Sequence, residues 1–399
     1  MTTKNNIPAG YKDSAVGIIP QEWEVKALGE AYKLQGGYAF KSELFADIGI
    51  PIVRISNLPM DSNIVDIADC VYYPNTESIK EQFIIKQGML LIAMSGATTG
   101  KTAVYNSQNS SYLNQRVGMF CSKNDDITYN YLLQLVQSPL YSNALKPLLI
   151  AGAQPNIAPS DVENMKFPVP PMEEQRKIAE ILGVWDEAIE KQSRLIERLE
   201  LRKRALMQRL LTGRTRLPGF TTPWQKAKLG EIAQIKKGVQ VNKDTLQEYG
   251  KYPTINGGIE PSGYSDNYNT EANTITISEG GNSCGYVNFI TTKFWSGGHC
   301  YTIIPNDNVI KPYLFQQLKH LEPHIMHLRV GSGLPNIQLK TLTKLRCSLP
   351  SLPEQKAIAE VLTTADKEIA THRKKLDALR LQKRGLMQQL LTGKTRVKI

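Results

Sequence analysis

The sequence predicts an α+β protein: two globular domains separated by two long helices packed as an antiparallel coiled coil, with a pseudo-twofold internal repeat. Three observations predict it. One pair of motifs occurs twice, the residues joining those motifs follow a helical seam, and the blocks between them are short β-rich runs broken by Gly and Asn turns.

The repeat comes first, because it fixes the architecture. "EQRKIAEILGVWDEAI" begins at Glu174 and "EQKAIAEVLTTADKEI" at Glu354; "LRKRALMQRLLTGRTR" from Leu201 matches "LQKRGLMQQLLTGKTR" from Leu381. The copies align without a gap, and roughly half of the aligned positions are identical. "QPNI" (154–157) keeps the same offset from "LPNI" (334–337), and "WEVKALGE" from Trp23 matches "WQKAKLGE" from Trp224. The helical segments agree while the blocks between them differ. One shared structural job and two different specific jobs follow.

In chain order, residues 1–19 form an N-terminal segment without the apolar core of a signal peptide. Residues 20–172 form the first block, in which "IPIVRI", "CVYY" and "GMLLIAM" read as strands and "TYNYLLQLVQSPLYSNAL" as a closing helix. Residues 173–216 form the central helix. Prolines in "FPVPPMEEQ" suit its start, early carboxylates suit its positive end, and Gly213 caps it. The second block, 217–352, has the strand-like "TITIS" and the closing helix "IKPYLFQQLKHLEPHI". The last helix, 353–399, starts after "SLPSLPEQ" and is capped by Gly393. Its seam is Ile358, Leu362, Ala365, Ile369, Leu376, Leu379, Leu386 and Leu390; the central helix has Ile178, Leu182, Trp185, Ile189, Ile196, Leu199, Leu206 and Leu210. Steps of four and three mark a coiled-coil seam. Polar residues break it at matching places, Gln192 and Lys203 in one copy and His372 and Lys383 in the other. A helix of this length spans roughly 55–60 Å, more than one turn of DNA.

The net charge of +11 favours an anionic partner. No apolar run is long enough to cross a bilayer. The five cysteines, Cys70, Cys121, Cys284, Cys300 and Cys347, are scattered, form no CxxC pair and fit a reducing cytosol.

"SGATTGKT" (95–102) looks like a phosphate-binding loop, but its glycines enclose three residues instead of four, and Ser95 stands where the loop needs Gly. The second block has "SEGGNSCGYV" (278–287) there: Gly281 and Gly285 fall on Gly96 and Gly100, and Tyr286 falls on Lys101. The pair reads as Gly-rich turns between strands, presenting Thr98, Thr99 and Lys101 in one copy and Asn282, Ser283 and Tyr286 in the other. "HLEPHIMH" (320–327) lacks the spacing of a helical zinc motif and is interrupted by Pro323, and "GHC" (298–300) is too local for a Cys–His nucleophile. No Gly-rich nucleotide fingerprint and no methyl-donor motif is present.

Two variable blocks, each followed by a helix opening "PPMEEQRKIAEIL" or "SLPEQKAIAEVL" and closing "LMQRLLTGRTR" or "LMQQLLTGKTR", resemble the specificity subunits of type I restriction-modification systems over nearly the whole chain. A short internal repeat that some members use to set spacing is missing from the central helix. The resemblance implies a cytoplasmic, non-catalytic targeting subunit whose blocks are target recognition domains, each reading one half of a bipartite site in double-stranded DNA. It implies helices that fix the spacing and dock two modification subunits, which bind S-adenosylmethionine and methylate adenine N6. Restriction and motor subunits using ATP and Mg²⁺ are further partners, as are DNA-mimicking anti-restriction proteins. No cofactor or metal is expected in this chain. Within that frame Lys41, Lys101, Lys236 and Lys237 are expected to contact phosphates. Tyr38, Asn57, Gln115 and Arg116 in one block, and Gln240, Asn256, Asn282 and His299 in the other, are expected to read bases. A free-standing bipartite DNA-binding regulator is the alternative.

Overall fold

The computed structural model describes residues 7–60, 62–76, 78–150, 156–331 and 335–399. The chain divides into two compact units, Met1–Lys191 with Leu376–Ile399, and Gln192–Lys375. Both long helices are continuous, Met172–Leu210 and Leu352–Leu390, and each contributes one end to each unit.

In the first unit an antiparallel sheet runs Tyr32–Gly36, Val117–Ser122, Leu90–Ala93, Thr102–Val104. A second sheet runs Val71–Tyr73, Ile50–Val53, Ser111–Leu113, Ile84–Ile85, with a parallel pair at its centre. The second unit repeats this. Its antiparallel sheet is Ala233–Lys237, Cys300–Pro305, Thr274–Ser278, Val287–Ile290, and its smaller sheet has three strands, Gly263–Ser265, Tyr252–Ile255, Trp295–Ser296, with the matching parallel pair at one edge. Blocks that look unrelated in sequence thus share the strand order of the larger sheet and one parallel pair, because the central strands, Leu90–Ala93 and Thr274–Ser278, are buried along their whole length, which constrains residue class and not residue identity.

The repeated motifs close each unit. In the first, Glu174 is fully buried, and its carboxylate accepts the indole N–H of Trp23 at 2.9 Å and two N–H groups of Arg396 at 2.7 and 2.9 Å. In the second, Glu354 is equally buried and accepts Trp224 Nε1 at 3.1 Å and Arg216 at 2.6 and 2.7 Å. The neighbouring Gln175 and Gln355 accept the backbone N–H of Thr128 and Ile310, each at 2.8 Å, where the next helix of the block begins. Gly213 and Gly393 turn the chain back past each helix end with φ of 73° and 70°, which aims each arginine at its carboxylate.

The seam serves two purposes. Ile178, Leu182 and Leu390 belong to the first unit's core with Trp23, Tyr131 and Phe167, and Leu386 packs against it. Leu210, Ile358 and Leu362 belong to the second core, with Leu206 packed against that one. Ile369 is also buried, while Trp185 and Ile189 are half-buried. The polar breaks are all partnered. Gln192 Nε2 donates to the carbonyl of His372 at 3.0 Å; Lys203 reaches Asp366 and Lys383 reaches Asp186, each at 2.5 Å. Each aspartate also accepts a glutamine from its own block: Gln134 on Asp186 at 2.8 Å and Gln316 on Asp366 at 2.7 Å. In both units the pairs descend one helix as they climb the other, so the helix segments within a unit are antiparallel.

The closing helix of the second block, Lys311–His327, runs through Pro323 and takes in the whole of "HLEPHIMH". Ile325 is fully buried beyond the proline, and that packing offsets the lost N–H.

Arg216→Ala should destabilise the second unit by roughly 3 kcal/mol, since it strips the main counter-charge from a buried carboxylate. Hydrogen exchange of amides around Glu354 measures this, with the first unit as internal control.

Candidate nucleic-acid interface

Each candidate site is built on the hairpin turn of the larger sheet. Gly96 and Gly100 have φ of 81° and 83°; Gly281 and Gly285 have 76° and 91°. The amides of Thr99, Gly100 and Lys101 bond to Gly96, Ala93 and Thr98 carbonyls, and those of Cys284, Gly285 and Tyr286 bond to Gly281, Ser278 and Ser283. These amides are consumed within the turn, and a strand follows instead of a helix, so neither turn is a phosphate cradle.

Register identifies equivalent positions. Val117 pairs with Ala93, and Cys300 pairs with Ser278. Arg116 and His299 therefore precede the same strand position, and both are exposed. Their carbonyls accept the amides of equivalent residues, Met94 and Glu279, each at 2.9 Å. Behind each turn the "PN" segment returns: Ser95 bridges Asn156 and Gly280 bridges Asn336. Both asparagines are exposed, and the matched "QPNI" and "LPNI" are the signal that pointed to them. Of the two surrounding stretches, residues 151–155 and 332–334 lie outside the described residues.

In the first unit Tyr38 is 39% exposed, and its backbone brackets the same corner, donating to Leu113 and accepting from Gln115. Tyr38, Gln115 and Arg116 are thus brought together beside the turn. Thr98 and Thr99 spend their hydroxyls on the carbonyls of Ile55 and Gly96, at 3.3 and 2.6 Å. Lys101 is half-buried and donates to Asn63 at 2.9 Å. Lys41 is exposed at the start of the turn Ser42–Leu44. Asn57 is only 3% exposed; it accepts from the amide of Arg54 and donates to the carbonyl of Asp66, so it holds a loop and presents no edge outward.

In the second unit the cluster is tighter. Glu279, 8% exposed, accepts Lys237 Nζ at 2.7 Å and the Tyr301 hydroxyl at 2.9 Å, and its other oxygen lies 3.5 Å from His299 Nδ1. Asn256 accepts the backbone N–H of His299 at 3.1 Å, and Ser283 donates to Gly257 at 2.6 Å. Gln240 packs on Gly298, where a Cβ would stand 2.3 Å from its oxygen. Asn282 is exposed at the turn. Lys236 precedes Lys237 on one strand and faces the opposite side. Tyr286 is turned towards the helix, with Lys319 Nζ 4.1 Å from its ring centre. Cys300 is buried, which pushes its thiol up to about 11 and removes it as a nucleophile. Glu279 escaped the sequence reading because its equivalent in the first block is Met94.

The duplicated α+β units, each with an exposed polar corner on the larger sheet and a buried clasp from the repeated helices, define a protein with two variable surfaces on one constant frame. The chain belongs to the type I restriction modification DNA specificity domain family, whose model matches residues 20–201 and 222–381. A putative type I restriction enzyme MjaX specificity subunit of Methanocaldococcus jannaschii is 29% identical over 430 aligned positions, covering 97% of both chains. A putative type I specificity subunit of Mycoplasma pneumoniae is 36% identical over 149 residues, covering 37% of this chain and 40% of the relative. The fold is similar to the crystal structure of a type I restriction-modification system S subunit from M. genitalium, with TM-score 0.62, 19% identity and 98% of each chain covered. Among the described residues no helix is long and apolar enough to cross a membrane.

Gly285→Ala should cost the second unit more than Gly281→Ala. Both carry roughly 1–2 kcal/mol from the left-handed backbone, but only at Gly285 does a Cβ meet the backbone of Met326, at 2.9 Å. Thermal unfolding of the two variants measures the difference.

Proposed function

We propose that this chain is the sequence-reading subunit of a type I restriction-modification complex, with one half-site of a bipartite target read by each unit. The observation that carries it is the coincidence of two family matches with two units whose larger sheets share one strand order, in which Arg116 and His299 stand at equivalent exposed corners. The frame around those corners is the same twice and the polar groups on them differ, as two readers of different base sequences require. Full-length similarity to a specificity subunit favours this reading over a free-standing regulator. The chemistry belongs to partners: modification subunits that carry S-adenosylmethionine, and restriction subunits that use ATP and Mg²⁺.

Residues 20–172 and 217–352 are the target recognition domains in this reading. The long helices act as an antiparallel coiled coil that sets the gap between half-sites, and their exposed faces dock the modification subunits. Tyr38, Gln115, Arg116, Gln240, Asn282 and His299 approach base edges, and Lys41 and Lys236 approach phosphates.

Mapping adenine methylation in cells that express the chain with its modification subunit tests this. The expected outcome is a split motif, two short half-sites around a fixed gap, of which exchange of residues 20–172 changes one half only. A contiguous motif overturns it. Lys41→Ala should weaken binding to all targets alike and reduce the slope of log K against log salt by about one; relaxation at a single base would instead make Lys41 a reader.

A further inference from the structure

We infer that Glu279 is a positioning residue that sets the tautomer of His299, so that the second unit requires an amino-bearing base, adenine or cytosine, at one position of its half-site. The inference rests on the reading of the second unit as a DNA reader.

Glu279 is a buried carboxylate with no part in holding the fold's repeated frame, since the first unit has Met94 in its place. Its two oxygens are used differently. Oε1 takes both Lys237 Nζ and the Tyr301 hydroxyl. Oε2 is buried without a hydrogen-bond partner and has His299 Nδ1 at 3.5 Å. A buried carboxylate oxygen left in that state is costly, and a short movement of the ring satisfies it. The ring's backbone is already held, with its N–H on Asn256 and its carbonyl on the amide of Glu279. Gly257, at φ +83°, packs against His299, where a Cβ would be 3.1 Å from the histidine Cβ. What remains adjustable is the side chain, and Glu279 orients it.

Lys237 shares the carboxylate at Oε1, and Oε2 faces Nδ1 of the ring; in a neutral imidazole one nitrogen donates and the other accepts, and the carboxylate takes the donor. With the proton on Nδ1, Nε2 carries a lone pair and acts as an acceptor. The His299 side chain is 60% exposed, so that lone pair is available at the corner. In the major groove the complementary groups are adenine N6 and cytosine N4; guanine and thymine offer acceptors there. The first unit has a guanidinium at this place, Arg116, which only donates, and Met94 beside it leaves it unpaired with any carboxylate from that position. The two units thus present opposite hydrogen-bonding polarity from equivalent positions.

The test is methylome mapping of the complete modification complex with wild type, Glu279→Met, Glu279→Gln, His299→Ala and Arg116→Ala. Met is chosen because the first unit carries it at this position. In wild type, the position that His299→Ala relaxes should be restricted to A or C on one strand, which is T or G on its complement. Glu279→Met should lose that restriction at least tenfold and admit G or T, with the first half-site unchanged as proof of folding and assembly. Glu279→Gln, which keeps an acceptor oxygen, should retain the wild-type pattern. A position relaxed by His299→Ala that in wild type admits both a base of the set A and C and a base of the set G and T on one strand would need no amino group there and would overturn the inference. So would Glu279→Met without effect where His299→Ala relaxes the position; the DNA-reading assignment would then survive. If neither His299→Ala nor Arg116→Ala altered either half-site, the assignment of these corners would fail instead. Should both Glu279 variants abolish methylation, ¹⁵N spectra of the full-length wild-type chain decide, with His299 assigned by its loss in His299→Ala. A protonated Nδ1 is expected, and a protonated Nε2 with bare Nδ1 overturns the inference.

Discussion

The structure depends on two buried carboxylates. Glu174 and Glu354 sit at the first turn of each long helix, fully removed from water, and each is satisfied by a tryptophan from the start of a block and an arginine from just past the end of a long helix. A charge in such a place is tolerated only while its donors stay in place. The constraint therefore ties three distant stretches of chain to one point. It explains why the Pro–x–x–Glu–Gln opening, the Leu–Thr–Gly–x–Thr–Arg ending and the Trp-to-Leu–Gly–Glu stretch all occur twice: each supplies one part of one clasp.

The clasp also frees the blocks. Because helix ends, tryptophan, arginine and glutamine fix the frame, the sheet corner opposite them needs only a turn of the right backbone shape. Gly96 and Gly100 in one unit, and Gly281 and Gly285 in the other, supply that shape without dictating side chains. Arg116 with Met94, and His299 with Glu279, then occupy one geometry with different chemistry. This separation of frame from surface is what a reader of exchangeable specificity needs, since a change of base preference leaves the buried charges untouched.

The seam residues illustrate the same economy. Ile178, Leu182, Ile358 and Leu362 fill domain cores as well as lying on the helix-facing stripe. The polar breaks at Lys203 and Lys383 are points where block, central helix and last helix meet through one aspartate, with Gln134 or Gln316 completing each junction. Mispairing by one turn would leave the buried Lys383 and the largely covered Lys203 without their aspartates, so the pairs oppose slippage more than they add stability.

The sequence by itself determined the repeat, both long helices, their caps and the α+β character of the blocks. Periodicity, proline and glycine placement and identity between copies are local properties that survive without coordinates. It also exposed the Gly-rich turns and the "PN" segments, because they recur at matched offsets. Only the tertiary structure decided which polar residues face outward. Asn57 and Tyr286 have the composition of readers, but one is sealed in a loop and the other lies against a helix. Arg116 and His299 proved equivalent only through strand register, and Glu279 became visible only through burial. Burial and register arise from contacts between residues far apart in the chain, and in blocks that share topology without sharing sequence no linear pattern records them.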